Sequence, residues 1–389
     1  MDSALPLYYI GIMTGTSIDA IDVVIADFTG FPKVISEYSA PINSELGKIL
    51  MDFATKKEIN IDLFVRTHFI LAGEYSEALM QALKKAKLSA KDILAIGLHG
   101  QTIRHLPKPE KIAASLAAAG ATFQLGSGTA LAALSGIDVV SDFRSADIAL
   151  GGEGAPLVPI FDHRFLKSDS HNRICLNLGG IANMTFLPAG GDEDNVMAFD
   201  SGPGNMIIDS LAGEYFGKAY DDGGAIAESG KVDNELLAQL LSYQYFKQLP
   251  PKSTGRELFG GIFLDPLRKK IGEGSLLPRD AIRTATELTV RSVAEAIAFF
   301  PKNTIQKYPT EIIASGGGVK NIFLCRRIGE LLPKIELKIS DELGIPSQAK
   351  EALAFAYFAK AFLDNEHIHL PKTTGASKKI ILGSLSKGK

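Results

Sequence analysis

Residues 8–28 read YYIGIMTGTSIDAIDVVIADF: an apolar run, a polar turn rich in Gly, Thr, Ser and Asp, and a second apolar run. Short apolar runs bounded by turn residues are strands, so the first element is a β-hairpin. The same phrase returns further on, where residues 174–188 read ICLNLGGIANMTFLP. A strand, a Gly-bearing polar turn and a second strand at the head of each half predict two related halves.

Around these hairpins strands alternate with helices. Residues 44–87 carry helical spacing with few breakers, 93–98 form a strand that ends in the polar loop HGQTIRH, 129–134 are helical, and GIDVVSDF at 136–143 is another buried strand. The Gly- and Pro-dense ALGGEGAPLVP at 149–159 interrupts the pattern and marks a hinge or an active-site loop. Beyond it come the strand of VMAFDSGPGN, helices over 205–216, 234–246 and 280–300, the strand of EIIASGGGVKN, and helices over 322–332 and 351–363. The basic tail 375–389 reads as a frayed, solvated end. Alternation of this kind makes an α/β protein. Two such halves facing each other would be an actin-like, hexokinase-like architecture, with one domain over 1–145, rejoined by 365–389, and a second over 146–364.

At 389 residues the chain exceeds the roughly 250–300 residues at which single cores stop growing, which also favours two domains. A cleft between domains is a common ligand site. Forty-one basic and 44 acidic residues leave a net charge of −3 with no basic stripe, which excludes nucleic acid and an anionic membrane as partners and leaves a small molecule. Only Cys175 and Cys325 occur, as expected of two inert thiols in a reducing compartment. Asp2 precedes the first strand without a basic segment, and no run of about 18 apolar residues appears, so neither a signal peptide nor a membrane helix is expected. The expected location is the cytoplasm. A homodimer is left open.

Phosphoryl transfer needs donors for the phosphate chain, a divalent cation and a base. In the first turn, Gly15 permits a tight bend, Thr16 and Ser17 offer hydroxyls beside the backbone amides of Ile18, Ala20 and Ile21, and Asp19 and Asp22 are suited to magnesium. The bland alternative is a hairpin turn whose side chains bond their own backbone. The second turn sets Asn177, Gly179, Gly180 and Asn183 in the equivalent place, and two such hairpins suit the grip of one phosphate chain. No Walker A motif is present. Asp200, at a strand end before the Gly-Pro-Gly turn that carries Gly204 and Asn205, suits a general base or an N-cap for the next helix. His99, Gln101 and Thr102 are donors and acceptors for a polar ligand. Asp142, Arg144 and Asp147 either orient sugar hydroxyls or pair with each other. Gly316, Gly317 and Gly318 either admit a flat adenine or cap a helix.

The series GTSIDAID, HGQTIRH, GIDVVSDFR, GGEGAPLVP, LNLGGIAN, FDSGPGN, KSTGRELF, SGGGVKN, ELGIPSQAKEALAFA and TTGA resembles, in order and spacing and over nearly the whole chain, the anhydro-N-acetylmuramic acid kinase family. The resemblance implies the acetate and sugar kinase, heat-shock-70 and actin fold. It also implies an enzyme of peptidoglycan recycling that uses ATP and Mg2+ to hydrolyse the 1,6-anhydro bond of its amino sugar and phosphorylate O6. By position, Gly15 to Asp22 would be the ATP segment and Asp200 the catalytic acid-base group. His99, Arg144 and Asp147 would line the sugar site, with Gly204 and Asn205 grouped beside them, and Gly316 to Gly318 the nucleotide site.

Three positions depart from the family pattern. Ala20 replaces a usual Gly, Glu153 a usual Gln, and Ser145-Ala146 follow Arg144 where basic residues are expected. Ala20 tolerates positive φ poorly, and the other two changes would weaken attraction for an anionic sugar. The rival readings are a kinase for another amino sugar without anhydro-bond cleavage, and a non-catalytic sugar or nucleotide sensor on the same fold. A sensor of the DNA-binding kind would need a helix-turn-helix, for which the start at Tyr8 leaves no room upstream.

Overall fold

The computed structural model describes residues 7–389 except Thr16 and Gly255, and only the backbone of Arg256 and Glu257. Thr16, named above for the phosphate turn, lies outside the described residues. The chain forms two compact units, one of residues up to Phe161 together with Ala349–Lys389, the other of Asp162–Gln348.

The strands are β1 (Tyr8–Thr14), β2 (Ala20–Asp27), β3 (Lys33–Pro41), β4 (Ile93–Leu98), β5 (Gln101–Glu110), β6 (Ala119–Leu125), β7 (Val139–Ser141), β8 (Asn172–Leu178), β9 (Ile181–Leu187), β10 (Met197–Pro203), β11 (Thr310–Ser315), β12 (Glu336–Ile339) and β13 (Ser384–Ser386). The first unit holds the sheet β13-β7-β4-β1-β2-β3, and the second holds β10-β9-β8-β11-β12. In the first, β1, β2 and β3 pair antiparallel while β4 and β7 run parallel to β1. In the second, β8, β9 and β10 pair antiparallel while β11 and β12 run parallel to β8. The two units therefore repeat one order and one set of directions. That duplicated sheet is the two-half arrangement expected of an actin-like, sugar-kinase architecture, and it sets the two hairpins read from the sequence at matching positions.

In the first unit Ile10 and Ile12 of β1 enter a core with Leu46, Leu50 and Leu71 from the helices Ser44–Thr55 and Ile61–Ala86. The expected single helical stretch opens at the cap Asn43, which accepts from the Leu46 amide (3.3 Å), and is divided after Thr55, where Asn60 caps a second helix by accepting from the Leu63 amide (3.0 Å). The buried helix Lys350–Leu363 approaches β1 and β4 so closely that a Cβ on Gly11 would lie 1.7 Å from the Ala352 carbonyl oxygen, and one on Gly97 1.9 Å from that of Phe355. This packing binds the helix to the first unit. The boundaries thus fall at 161/162 and 348/349, whereas the sequence reading drew them at 145/146 and 364/365.

The tail is also ordered differently from the frayed end expected. β13 pairs antiparallel with β7, the Lys387 ammonium meets Asp138 at 2.7 Å, and the Gly388 amide donates to the same carboxylate at 3.0 Å. A three-residue strand has almost no pattern of its own, and its partner supplies the order. In the second unit the helix Pro278–Ala296 is buried along most of its length and packs Val290 and Val293 against Ile174 and Ile312 of the sheet. Cys175 and Cys325 form no disulfide. Among the described residues no helix is long and apolar enough to cross a membrane.

Candidate active site

The first hairpin joins β1 to β2, with Thr14 opposite Ile21 and Met13 opposite Asp22. Its turn closes through the Ile18 amide and the Gly15 carbonyl (3.2 Å), and the Ser17 hydroxyl donates to the Asp19 carboxylate. Ile18 is buried and holds φ at 58°, a left-handed conformation that a β-branched residue rarely adopts and that tends to mark functional turns. Ser17 and Asp19 are exposed, and Asp22 is half-buried. Ala20 pairs with Pro41 in the β2–β3 ladder and is not among the positive-φ residues. The substitution of Ala for a usual Gly therefore strains nothing in this turn.

At the end of β4 the His99 amide bonds the Ile12 carbonyl (3.0 Å), which fixes the loop beside β1. The His99 ring is buried against Phe355, and its Nε2 receives the Arg144 guanidinium at 2.9 and 3.3 Å. Because a guanidinium only donates, Nε2 accepts and the neutral ring carries its proton on Nδ1. Burial and the Arg144 charge hold His99 well below the usual imidazole range. Arg144 itself is pushed down to about 10 by burial, against the pull of Glu351 and Asp147, and donates to the Gly154 carbonyl at 2.7 Å. Gln101 and Thr102 begin β5, a strand of the two-stranded ribbon β5–β6 where the sequence reading expected a loop. Gln101 is buried and its amide reaches the Thr102 carbonyl at 3.3 Å.

Asp142, Arg144 and Asp147 make their hydrogen bonds to separate partners and not to one another. Asp142 accepts from the Ser145 hydroxyl at 2.5 Å, so the residue at a position where a basic one was expected is bonded to this carboxylate. Asp147 has no exposed surface; it accepts from the Gly154 amide (2.5 Å), the Thr374 hydroxyl (2.6 Å) and His369 Nε2. Direct contact with a sugar, expected of Asp147, is thus not what the structure provides. The carboxylate instead ties the 151–154 loop to the 369–374 segment, and the Glu153 amide adds a bond to the Thr374 carbonyl (2.8 Å). Burial would raise the Asp147 carboxyl, but the bonds from His369, Thr374 and Gly154 outweigh it and hold it below its ordinary value.

A carboxylate held low contributes stability that is complete above its unfolded value and is lost as pH falls through its folded value. Asp147→Asn should therefore cost about 2 kcal/mol or more at neutral pH. The gap to the parent protein should close as the medium is acidified below the ordinary carboxylate range, as read from urea midpoints at both pH values.

In the second unit the β8–β9 turn, the segment after β10 and the glycines after β11 meet. The Gly179 carbonyl accepts from the Asn205 amide (2.8 Å), the Gly180 carbonyl from the Gly204 amide (2.9 Å), and the Asn205 side chain donates to the Leu178 carbonyl (3.2 Å). A Cβ on Gly204 would lie 2.2 Å from the Gly179 oxygen, so only glycine permits this approach. Gly316 adopts φ 86° and opens the 3₁₀ turn Gly317–Lys320, in which Gly317 faces open space and Gly318 sits against Leu178 and Asn205. The helix Ile322–Leu331 is capped by Asn321, whose side chain accepts from the Leu324 amide at 2.9 Å, and not by these glycines.

One polar row crosses this sheet. Asn177 pairs with Asn183, and Asn183 with Asp200, so all three side chains share one face. After Asp200 the register jumps to Gly202 opposite Ala182, which makes Ser201 the extra residue of a β-bulge; bulges re-aim side chains and gather beside active sites. The Asp200 carboxylate accepts from the Thr254 amide at 2.8 Å, its carbonyl from the Tyr245 hydroxyl at 2.8 Å, and its amide donates to the Lys252 carbonyl at 3.2 Å. The N-cap of the helix Met206–Phe216 is Asn205. Asp200 lies inside β10 and does not serve as that cap.

Tyr245, Lys252, Thr254, His369 and Thr374 were given no role by the sequence reading. KSTGRELF and TTGA stood among the quoted blocks, and those blocks were the only available signal.

The model of the anhydro-N-acetylmuramic acid kinase family matches residues 7–388. The anhydro-N-acetylmuramic acid kinase of Coxiella burnetii is 40% identical over 380 residues, covering 98% of this chain and 97% of the relative. That of Nitrosomonas europaea is 39% identical over 383 residues, covering 97% and 99%. That of Shewanella oneidensis is 39% identical over 377 residues, covering 97% of each. A match of this length and identity shows the family, and the chain belongs to the anhydro-N-acetylmuramic acid kinases.

Proposed function

We propose that this protein is an ATP-dependent kinase of peptidoglycan recycling that opens the 1,6-anhydro bond of anhydro-N-acetylmuramic acid with water and phosphorylates the freed O6. The products are N-acetylmuramic acid 6-phosphate and ADP. The observation that carries the chemistry is the bulged strand that sets Asp200 beside Asn183 and Asn177, with its carboxylate steadied by the Thr254 amide.

In this reading Asp200 takes a proton from water as the water oxygen bonds to the anomeric carbon. The bond from that carbon to O6 breaks, O6 bonds to the γ-phosphorus, and the bond to the β-phosphate oxygen breaks to release ADP. A fixed carboxylate is suited to that proton transfer. In the second unit, the Gly179-Gly180 turn and Gly316 to Gly318 present backbone to the nucleotide. In the first, the 15–22 hairpin presents Ser17 and amides to phosphate oxygens. The neutral His99 and the Arg144 guanidinium are the polar groups offered to the sugar, and Asp147 holds the 151–154 loop instead of touching ligand.

Among the described residues no three His, Cys, Asp or Glu cluster as a metal cage. Magnesium is ordinarily held by one or two carboxylates together with water and substrate phosphates, and Asp19 and Asp22 on one hairpin fit that donor set. Bound there, it would neutralise charge on the triphosphate. Asp19 and Asp22 are the residues that would hold it.

ADP release measured with anhydro-N-acetylmuramic acid, N-acetylmuramic acid and N-acetylglucosamine tests the substrate assignment. Turnover should be confined to the anhydro-sugar. Preference for a ring-opened sugar would leave a kinase of another amino sugar.

A further inference from the structure

Lys252 is a buried cation with an unusual environment. Its ammonium stands 4.7 Å from the ring centroid of Tyr245, 4.7 Å from that of Phe299 and 5.7 Å from that of Phe199, and donates to the Tyr245 carbonyl at 3.2 Å. Ring faces attract a cation, most strongly where water is excluded. The residue is 8% exposed, so the ammonium gives up most of its hydration for these rings and one carbonyl. Burial pushes it down to about 8, against the opposing pull of Asp200. Among the described residues Asp200 is the charged group that acts on it. The other groups packed around it are the aromatic rings, of which Tyr245 is titratable and has its hydroxyl committed to the Asp200 carbonyl.

The same segment encloses Asp200. The Lys252 carbonyl accepts from the Asp200 amide, and two residues on the Thr254 amide donates to the Asp200 carboxylate. Phe199, one wall of the cage, is the residue immediately before Asp200 on β10. A cation seated in rings, with its hydrogen bond spent on a carbonyl, is fixed in place and cannot swing out to water. Its field on the neighbouring carboxylate is therefore permanent for as long as it keeps its proton.

We propose that Lys252 is a positioning residue of the reaction: its caged ammonium keeps the Asp200 carboxylate ionised and ready to take a proton. The inference rests on the reading of Asp200 as the base. A nearby positive charge favours the ionised form of a carboxylate, so its removal makes Asp200 easier to protonate. A merely structural lysine would lower activity uniformly without moving the pH profile.

The experiment is the pH profile of kcat/KM for the full chain with ATP, magnesium ion and anhydro-N-acetylmuramic acid, in the parent, Lys252→Met, Lys252→Arg and Asp200→Asn. Lys252→Met should move the acid limb up by about one pH unit, so that kcat/KM falls about tenfold on that limb and little on the plateau, with little change in KM for ATP. Lys252→Arg, permanently charged, should restore the acid limb and remove the alkaline fall expected near pH 8 in the parent. If Lys252→Met does not fold, Lys252→Gln, which keeps a donor for the Tyr245 carbonyl, gives the same reading. Folded neutral variants whose limbs stay where the parent's lie, beside an inactive Asp200→Asn, would overturn the role of Lys252 alone. An active Asp200→Asn would overturn the base assignment on which it rests.

Discussion

Asp200→Asn is expected to lower kcat by about 10²- to 10⁴-fold, the range typical of a lost general base, while KM for ATP changes little. The amide keeps an oxygen for the Thr254 N–H, and the backbone bonds to Lys252 and Tyr245 do not involve the side chain. The variant should therefore fold and bind nucleotide. What it lacks is the charge that accepts a proton from water and the counter-charge for the caged ammonium. Steady-state kinetics with a thermal melt as the folding control would check this. A variant with near-parental kcat would mean that the proton goes elsewhere.

The largest effect on stability is expected at Gly11→Ala. The added methyl would have to occupy the place of the Ala352 carbonyl, 1.7 Å from its oxygen and 2.7 Å from the Ala356 nitrogen. Those are backbone atoms of a buried helix and cannot turn aside as a flexible side chain can. Overpacking typically costs 1–3 kcal/mol. A collision with helix backbone should reach about 3 kcal/mol or more, a large share of the roughly 5–15 kcal/mol by which proteins are stable. Gly73→Ala is the control: it lies within the helix Ile61–Ala86 with open space around a Cβ, and should gain about 0.5–1 kcal/mol. Urea midpoints of the two variants should move in opposite directions.

These two residues also show where sequence and structure agree and part. Asp200 was singled out because an apolar run leading to an acid before Gly-Pro-Gly is a local pattern, although the strand continues through it to Pro203, and the hairpins were legible because strand, turn and strand are contiguous. The repeat they announced appears as the shared strand order of the two units. Gly11 carried no such sign, since the helix that demands it begins at Lys350. Asp147 was read as a group for sugar hydroxyls or for its neighbours in sequence, because His369, the partner it is buried against, lies 222 residues away. The cage of Lys252 is assembled from positions 199, 245 and 299, three separate elements whose meeting no local pattern encodes. β3 alternates polar and half-buried residues along a sheet edge, β13 is ordered by its partner β7, and β5, β6 and β12 are largely polar or exposed, so none of these presents the apolar run by which the remaining strands were recognised.

The most direct test of the central claim, that ring opening and phosphoryl transfer form one reaction, is the stoichiometry of products from anhydro-N-acetylmuramic acid and ATP, followed by NMR. The account predicts one N-acetylmuramic acid 6-phosphate for every ADP, with no free N-acetylmuramic acid at any time and both products slowed together in Asp200→Asn. Accumulation of free N-acetylmuramic acid, or ADP formed while the anhydro bond stays intact, would contradict it.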